Sequence, residues 1–597
     1  MFTTRPEILG TYGVVTSTHW LASAVGMAVL EKGGNAFDAA VAAGFTLQVA
    51  EPHLNGPGGE LPAIFHAASE DGVRVLCGQG PAPAAATIEA FRELGLSSIP
   101  GSGLLPAVVP GAFDGWLMLL RDYGTFRLRD VLEPAIGYAE TGVPVVPKMA
   151  TFIGRVRDLF REQWPTSAET YLANGETPAP GDWIANTTLA ATYRRILDEA
   201  EAAGTDRETQ IAAARAAWYT GWVAEAIDGF YRTQSLLDAS GERHSGLLTG
   251  DDLASYQATY EEPVRLDVGR YTVCKCDFWS QGPVMLQILA LLRDMDLGSM
   301  PPDGPDFIHA YTEAAKLAFA DREAWYGDPD FADVPGETLL SEAYAAERRA
   351  LIGETASMDL RPGTPDGREP DLSAALAADG DLGAIGHYFS LGEPTVEPTA
   401  AVARGGDTVH LDVIDRHGNM ISATPSGGWL QSAPVVPELG FCMSVRGQMF
   451  WLDETSPSGL APGKRPRTTL SPSLVLRDGA PYMVFGTPGG DQQDQWQTLF
   501  FLGHAVRGLN LQEAIDAPAF HSEHFPSSFW PRGRQPGRLV LEGRFPEATV
   551  AALRTRGHDV AVGDPWSEGR ITAAAKDGRI LKAAANARGM QGYAVGR

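Results

Sequence analysis

The chain of 597 residues changes character near residue 407, and this break constrains its fold more than any other feature. From residue 110 to residue 326 the apolar spacing is mostly helical, with clear examples at 111–123, 187–202 and 307–325, and it is interrupted by a strand signal at 264–276. After residue 407, short alternating or apolar runs predict β-strands at 408–414, 420–424, 441–445, 474–476, 483–485, 539–541 and 571–575. Residues 328–407 are rich in Pro, Gly and Asp, which predicts an exposed, flexible connector. The sequence therefore predicts a helix-rich part, residues 1–407, and a strand-rich part, residues 408–597.

Thr408 is the first residue of the strand-rich part, in the run Gly406-Asp407-Thr408-Val409-His410. A threonine hydroxyl inside a chain is a poor nucleophile because no neighbouring group accepts its proton. If the chain is cut before Thr408, its free α-amino group lies a few ångströms from Oγ1 and acts as the general base. The reference pKa of that amine, about 7.7–8.0, leaves a useful fraction neutral near pH 7–8. The pattern predicts amide hydrolysis or acyl transfer without cofactor; the alternative is a threonine on an ordinary strand.

Composition excludes several other functions. A formal net charge of −27 disfavours binding to nucleic acid or to anionic membrane surfaces. No apolar run approaches the roughly 20 residues of a membrane helix, and the first residues lack the pattern of a signal peptide. The four cysteines include Cys274 and Cys276, whose spacing is wrong for a CxxC pair and fits reduced thiols. We therefore expect a cytoplasmic protein.

Metal chemistry is also not indicated. His410 and His417 follow Thr408, and His309 lies in a predicted helix, but there is no HExxH motif or histidine–carboxylate cluster at ligand spacing. We expect these histidines to lie in the core or at the surface, and we expect no metal site.

Several blocks of the chain, in this order, resemble the γ-glutamyltranspeptidase family of N-terminal-nucleophile hydrolases. Any single block can recur by chance. The shared order of all the blocks, from residue 10 to residue 596, makes the resemblance specific. The blocks are Gly33-Gly34-Asn35-Ala36-Phe37-Asp38-Ala39-Ala40, Glu51-Pro52-His53, Val109-Pro110-Gly111, Glu313-Ala314-Ala315-Lys316-Leu317-Ala318-Phe319-Ala320-Asp321-Arg322, Gly327-Asp328-Pro329, the Thr408 run, Lys464-Arg465-Pro466 and Gly486-Thr487-Pro488-Gly489-Gly490-Asp491.

The resemblance implies an α+β fold, a four-layer αββα sandwich with two central antiparallel sheets. It also implies that Thr408 Oγ1 attacks the Asp407 carbonyl and that the resulting ester is hydrolysed, which frees the Thr408 amine. One precursor would then give a large and a small subunit, and a homodimer of such heterodimers is possible in the family. Its partner would be a small-molecule amide, with neither metal nor cofactor.

Further site residues follow from the resemblance one at a time. Gly489 and Gly490 match the oxyanion-hole glycines, and paired N–H groups without Cβ bulk suit that task, although the same glycines would also serve a plain turn. Ser426, eighteen residues after Thr408, matches a threonine whose hydroxyl supports the nucleophile. Thr468 and Thr469 match two hydroxyl residues that hold a glutamyl carboxylate, or they are turn formers beside Pro466.

Three departures from the family concern the substrate. Gln79 stands where the family has an arginine for the α-carboxylate, and a neutral amide does not replace that charged fork. Met449 is the closest match to the position of the family's acidic residue, which receives the α-amino group, and a methionine does not usefully accept a hydrogen bond from an ammonium group. The segment 451–463 is shorter than the usual lid loop, which predicts a more open site. Arg446 takes the place of a substrate-binding amide; it either binds a carboxylate from another direction or is a solvated or ion-paired surface residue.

Together these residues predict an autoprocessed γ-glutamyltransferase-like amidohydrolase, related to glutathione hydrolases. It would cleave γ-glutamyl or related carboxylate-bearing amides through a Thr408 acyl-enzyme, with hydrolysis favoured over transpeptidation. An oxamate amidohydrolase or a cephalosporin-type acylase would use the same machinery. The alternative of another class is an unprocessed, non-catalytic binding relative.

Overall fold

The computed structural model describes residues 2–378 and 408–597, so Asp407, the predicted residue before the cut, lies outside the described residues. The α-helices are α1 (Trp20–Glu31), α2 (Ala36–Ala50), α3 (Ile88–Glu93), α4 (Ala112–Tyr123), α5 (Leu128–Thr141), α6 (Pro147–Glu162), α7 (Pro165–Tyr171), α8 (Thr187–Ala203), α9 (Arg207–Tyr219), α10 (Trp222–Thr233), α11 (Gly250–Ala254), α12 (Pro283–Leu292), α13 (Pro305–Trp325), α14 (Gly336–Leu339), α15 (Glu342–Arg349), α16 (Ser373–Ala377), α17 (Gln493–Ala505), α18 (Leu511–Asp516) and α19 (Glu547–Thr555).

The strands are short, and many are buried along their whole length. They are β1 (Ile8–Gly10), β2 (Gly13–Ser17), β3 (Leu61–His66), β4 (Arg74–Gly78), β5 (Val143–Pro144), β6 (Trp183–Ile184), β7 (Leu236–Leu237), β8 (Arg243–His244), β9 (Thr259–Glu261), β10 (Val264–Val268), β11 (Tyr271–Lys275), β12 (Leu411–Asp415), β13 (Met420–Ala423), β14 (Val435–Val436), β15 (Phe441–Cys442), β16 (Ser473–Arg477), β17 (Ala480–Gly486), β18 (Phe520–Ser522), β19 (Arg538–Leu541), β20 (Asp559–Val562), β21 (Thr572–Asp577), β22 (Ile580–Ala585) and β23 (Tyr593–Gly596).

Two seven-stranded antiparallel sheets form the centre of the molecule. Sheet 1 has the strand order β23-β2-β12-β13-β3-β4-β9, and sheet 2 has the order β1-β22-β21-β17-β16-β11-β10. Each sheet mixes strands from before and after residue 407, because β12 pairs with β2 and β16 pairs with β11. The two predicted parts therefore share their sheets and are not separate folding units.

Helices cover the outer face of each sheet, which gives the four-layer αββα sandwich. Helices α1, α2 and α4 pack on sheet 1, and α12, α17 and α18 pack on sheet 2. The inner faces meet in an apolar layer that includes Val14, Ile64 and Ile414 from sheet 1 and Leu474 and Val484 from sheet 2. Most positions on strands buried on both faces are apolar, and a buried polar residue such as Asp412 of β12 is hydrogen-bonded.

Helix α2 shows how composition fits this position. All of its fifteen residues are buried, because it lies between sheet 1 and the helices α1, α4 and α5. Its alanines and Gly44 let neighbouring helices approach closely; a Cβ at Gly44 would collide with Trp116. The helix begins with a capping box in which Asn35 and Asp38 satisfy each other's backbone N–H groups.

The structure differs from the sequence-based expectations in several elements. The strand expected over 408–414 is β12, which begins at Leu411, and Thr408 forms an isolated bridge with Ser426 before it. The strand signal at 264–276 is a hairpin of β10 and β11. Strands β22 and β23 are not predicted from the sequence, because the alanines of β22 carry little strand signal and β23 has only four residues.

The first part of the predicted connector packs against the body. Residues 328–378 carry α14, α15 and α16, and Tyr344 and Arg348 on α15 are buried beside Asp321 of α13. Residues 379–407 lie outside the described residues. Across the part of the chain that is described, no helix is both long and apolar enough to cross a membrane.

Candidate active site

Thr408, Ser426 and Glu60 lie side by side where sheet 1 ends. Ser426 forms antiparallel bridges with Thr408 on one side and with Glu60 on the other. The Ser426–Glu60 pair exchanges two backbone hydrogen bonds, of 2.8 and 3.1 Å. Residues directly opposite in antiparallel strands point their side chains to the same face of the sheet. The three side chains therefore form a row, and all three are buried.

The hydroxyls of Thr408 and Ser426 are within hydrogen-bonding distance. Their oxygens, Oγ1 and Oγ, lie 3.2 Å apart. Both residues sit in the turn-rich segments that flank β12 and β13, so the hairpin formed by these two strands fixes their spacing. The structure thus brings together two of the site residues that the sequence predicts.

Arg446 joins this row from a short 3₁₀ helix, Arg446–Met449. Its Nη2 lies 2.9 Å from Ser426 Oγ and 3.4 Å from a carboxylate oxygen of Glu60. Arg446 is only 1% exposed, so the expectation of a solvated surface arginine is wrong. Its ion pair is internal because Glu60, which the sequence analysis did not single out, is buried opposite it.

Gly489 and Gly490 follow β17 and lead into a 3₁₀ helix, Gly490–Gln492. Both glycines have left-handed backbone conformations, with φ of +132° and +51°. A Cβ at Gly489 would collide with the ring of Trp496, the buried first-turn tryptophan of α17. Within the described residues, no hydrogen bond uses the N–H of either glycine. Both amides are available to an acceptor outside the loop.

An ion-pair network holds this glycine loop in place. The Gly490 carbonyl accepts a hydrogen bond of 3.0 Å from Gln281, and Arg322 on α13 binds both Gln281 and Asp491. Asp491 also accepts the backbone N–H of Ser528 at 2.8 Å. Burial acts to raise the pKa of Asp491, but the Arg322 guanidinium and these hydrogen bonds outweigh it and lower that pKa. The loop is therefore positioned by buried charges on other elements.

Thr468 and Thr469 lie on the approach to β16 and are buried, near the glycine loop. The Thr468 carbonyl accepts the N–H of Gln281, the same residue that binds Gly490, and its N–H donates to Trp279. Oγ1 of Thr469 is buried with no hydrogen-bond partner in the described part of the chain. Thr468 is thus linked to the loop through one residue, and Thr469 offers a hydroxyl for a ligand.

Gln79 lies beside this row, because β4 pairs Gly78 with Leu61, the residues adjacent to Gln79 and Glu60. It follows β4, is buried, and donates from Nε2 to the carbonyl of Gly80 at 3.1 Å. Its Oε1 has no hydrogen-bond partner among the described residues. Met449, the other unusual residue, is buried, and its sulfur lies 3.9 Å from Nη1 of Arg446. Neither side chain carries a charge.

A small cavity with charged lining residues lies beside the glycine loop. Pro488, the residue before Gly489, lines it together with Lys148, Arg570 and Arg588. Glu51 also lines it and accepts hydrogen bonds from Thr18 at 2.7 Å and Gln591 at 3.0 Å. Burial raises the pKa of Glu51 to about 7. Thr18 connects the cavity to the segment that follows Thr408, since its N–H donates to the carbonyl of His410.

His410, two residues after Thr408, lies inside the sandwich. It contacts Thr424 through Nδ1 at 2.8 Å and Asp412 through Nε2 at 2.9 Å. Asp412 in turn accepts a hydrogen bond from Thr572 of sheet 2. The histidine is therefore part of a buried polar link between the sheets, as expected for a core histidine.

Among the residues that the structure describes, one histidine–carboxylate cluster could hold a metal ion, and it lies on elements other than those of Thr408. His309 and Glu313 of α13 and His558 place their potential ligand atoms within 4.8 Å of one another. Their partners are already internal: His309 and His558 are hydrogen-bonded at 2.8 Å, and Glu313 pairs with Lys316 at 2.6 Å and Arg361 at 3.0 Å. Lys316 and Arg361, the two cations beside Glu313, oppose the binding of a metal cation at this cluster.

The sequence analysis missed Glu60, Gln281 and Asp491 as functional candidates. Glu60 had one local signal: it is an acidic residue between a glycine-rich loop and an apolar strand, where burial demands a partner. Arg322 and Asp491 ended two of the matching blocks, but their contact joins residues 169 positions apart. Spacing along the chain gives no information about such a pair.

Comparison with known proteins gives a consistent result. Residues 22–596 match the family described as Gamma-glutamyltranspeptidase. The chain is 55% identical to the protein in the structure of LmbA2991HD, with a TM-score of 0.93 and all of both chains covered. It is 29% identical to a cephalosporin acylase from Bacillus halodurans, with a TM-score of 0.81 over 100% of this chain and 98% of that one. It is 31% identical to the oxamate amidohydrolase proenzyme of Klebsiella pneumoniae subsp. pneumoniae, covering 94% of this chain and 93% of the relative.

Proposed function

The chain belongs to the γ-glutamyltranspeptidase family, and on that basis we propose that it is an amidohydrolase that cleaves itself between Asp407 and Thr408 and then uses Thr408 as nucleophile and base. One observation carries the proposal: Thr408 Oγ1 lies 3.2 Å from Ser426 Oγ in a buried row at the end of a central sheet. A precursor is also consistent with the relative named a proenzyme.

The proposed reaction needs only groups of this chain. After self-cleavage the Thr408 amine takes the proton of Oγ1 while Oγ1 attacks the substrate's amide carbon. The negative charge that develops on the carbonyl oxygen is stabilised by the N–H groups of Gly489 and Gly490. The C–N bond breaks as the protonated amine returns the proton to the leaving nitrogen, which leaves an ester on Thr408. Water, deprotonated by the same amine, hydrolyses the ester.

The substrate we propose is an amide that carries a carboxylate but is not held as a γ-glutamyl amino acid. Gln79 and Met449 lack the charges that would pair with an α-carboxylate and an α-ammonium group. The buried Oγ1 of Thr469, which has no hydrogen-bond partner among the described residues, can donate to a carboxylate. Small oxamate-like amides and acylated amines are the two candidates, because relatives bear those names. Without the usual ammonium contact, an amine acceptor is poorly held, so hydrolysis is favoured over transfer.

Self-cleavage is tested by denaturing electrophoresis of the purified protein. We expect two bands, corresponding to residues 1–407 and 408–597, and one band for Thr408→Ala, which should also lose all amidase activity. Thr408→Ser keeps a hydroxyl and should still be cleaved. Thr555→Ala, an exposed threonine at the end of α19, is the matched control and should behave like wild type. An uncleaved wild-type chain would favour the non-catalytic alternative.

Substrate class is tested with a panel of amides on the processed protein. Oxamate and an N-acyl cephalosporin should be hydrolysed faster than γ-glutamyl-p-nitroanilide, and added glycylglycine should not accelerate release of p-nitroaniline. Efficient glutamyl transfer to glycylglycine would contradict our interpretation of Gln79 and Met449. The cytoplasmic location and the homodimer of heterodimers stay predictions.

A further inference from the structure

Arg446 has a role that differs from the one its sequence position suggests. In the sequence it stands where a substrate-binding residue is expected, yet its guanidinium lies behind Ser426 and is buried. We infer that Arg446 is a positioning residue that acts on Thr408 through the hydroxyl of Ser426, and that it does not bind substrate. This inference rests on the proposed function, because it assigns Arg446 to the nucleophile of that reaction.

The direction of the hydrogen bonds supports this role. A guanidinium only donates, so Ser426 Oγ must accept the 2.9 Å hydrogen bond from Arg446 Nη2. Ser426 then keeps its own hydrogen to donate, and Thr408 Oγ1 lies 3.2 Å away. A donor there stabilises the negative charge that develops on Oγ1 when the amine removes its proton. Because one member of the chain is charged, each hydrogen bond in it is strengthened.

The surroundings of Arg446 strengthen the electrostatic effect of its charge on neighbouring groups. Its guanidinium lies over the rings of Trp429 and Phe529, at 4.9 and 5.8 Å from their centroids, beside the thioether of Met449. Such apolar walls lower the local dielectric constant, so a charge here acts more strongly than at the surface. Nε of Arg446 has no hydrogen-bond partner in the described part of the chain, which leaves Nη2 as the end that makes its polar contacts with the row.

Glu60 makes the burial of this charge possible. Its carboxylate pairs with Arg446 at 3.4 Å and accepts a hydrogen bond from Ser444. Burial raises the pKa of Glu60, and the neighbouring Arg446 guanidinium acts in the opposite direction. Gly427 provides the space, because a Cβ there would collide with the Glu60 carboxylate and because its φ is +76°. Ser426-Gly427 and Glu60 therefore form one unit with Arg446.

The test replaces both charges by neutral amides, in the variant Glu60→Gln/Arg446→Gln. The double change avoids a lone buried charge, which by itself can prevent folding. Three rates are measured: self-cleavage of the precursor, acylation by oxamate, and acylation by an uncharged β-lactone. A hydrogen bond to a charged group corresponds to about a ten- to hundredfold change. We expect all three rates to fall by about tenfold or more, with the KM for oxamate unchanged.

Two further variants make the result specific. Arg446→Lys keeps the charge but not the forked geometry, so it should recover part of each rate. Arg477→Gln/Asp577→Asn removes a partly exposed ion pair on sheet 2 and should leave all three rates at the wild-type level. Thermal unfolding of every variant shows whether a lower rate reflects a damaged fold; the double variant should unfold within a few degrees of wild type.

Two outcomes would overturn the inference. If the double variant cleaves itself and reacts with the β-lactone at wild-type rates while the KM for oxamate rises, Arg446 is a substrate ligand. If all rates are unchanged, Arg446 has no influence on Thr408. Failure of the proposed function looks different, since the wild-type chain would then remain uncleaved and unreactive with both probes.

Discussion

Replacing Gly489 by alanine is the most direct test of the glycine loop as an oxyanion hole. The backbone of Gly489 is left-handed, with φ of +132°, a conformation that costs an L-residue roughly 1–2 kcal/mol. In addition, the new Cβ would overlap Trp496 of α17, which is 2% exposed and packed in the hydrophobic core. Since the tryptophan has little room to move, we expect the loop to shift instead.

The size of the effect follows from what the loop does in the proposed reaction. Loss of one oxyanion-hole donor costs roughly 2.7–4 kcal/mol of transition-state stabilisation. At about 1.4 kcal/mol per factor of ten, Gly489→Ala should lower kcat by roughly 100- to 1000-fold. KM should change little, because the donors are aimed at charge that develops only in the transition state. Self-cleavage should slow as well if the same amides stabilise its intermediate.

The control is Gly479→Ala, in the turn between β16 and β17. Gly479 is also left-handed, with φ of +81°, but a Cβ there meets no atom within 4 Å. It should therefore cause the backbone strain without the collision, lowering the unfolding temperature slightly and leaving kcat unchanged. The assay is steady-state hydrolysis of the best amide in the panel, with thermal unfolding in parallel. A Gly489→Ala protein whose kcat lies within threefold of wild type would refute the assignment.

Three further predictions concern buried charges. Because burial raises the pKa of Glu51 from its ordinary value of 4.5 to about 7, the free energy of unfolding should fall as the pH rises from 4.5 to 7. Glu51→Gln removes this loss and should raise stability by on the order of 3 kcal/mol at pH 8 but not at pH 4.5, as chemical denaturation at both values would show. Burial alone would lower the pKa of His521, but Glu568, 2.8 Å away, outweighs it with help from a second carboxylate and raises that pKa to about 10. The protonated imidazole should stabilise the fold fully below pH 6.5 and lose this effect as the pH rises through about 10. His521→Gln should therefore lower the free energy of unfolding by about 3–5 kcal/mol at pH 6 and by little at pH 11. An equal loss at both pH values would contradict this prediction. Asp491→Asn removes a buried ion pair with Arg322 and should lower the free energy of unfolding by about 3–5 kcal/mol. It should also lower kcat, because this pair holds the glycine loop. An unchanged kcat in a destabilised protein would show that the pair stabilises the fold without positioning the loop.

Much of the architecture follows from local sequence signals. The helices at 111–123, 187–202 and 307–325 are found within a few residues as α4, α8 and α13, because their apolar residues repeat at helical spacing over several turns. Strand ends were less well predicted, as for β12. The polar–apolar alternation of residues 408–413 begins before β12, because Thr408 and His410 are buried polar residues outside the strand, and hydrogen bonds to β2 and β13 decide where the strand begins.

The candidate site divides in the same way. The chemistry of Thr408, and the family blocks that place Ser426 and the two glycines in order, are readable along the chain because they depend on residue type and spacing. The sequence-based interpretation of Arg446 was incomplete, because no residue near it in the sequence indicates that its partner is the carboxylate of Glu60, 386 residues away. Burial without a partner is costly, so the fold had to supply Glu60, but only packing shows which acid is used.

The sequence by itself determined most of the order of elements, the position of the candidate nucleophile Thr408 and the absence of the charges that recognise a glutamyl group. The tertiary structure alone decided which distant residues surround that threonine: it stacked Glu60, Ser426 and Thr408 in register and set Arg446 against them. The physical reason is that residue type and periodicity are local properties, whereas the energy of a buried charge depends on whatever the closed chain brings within a few ångströms.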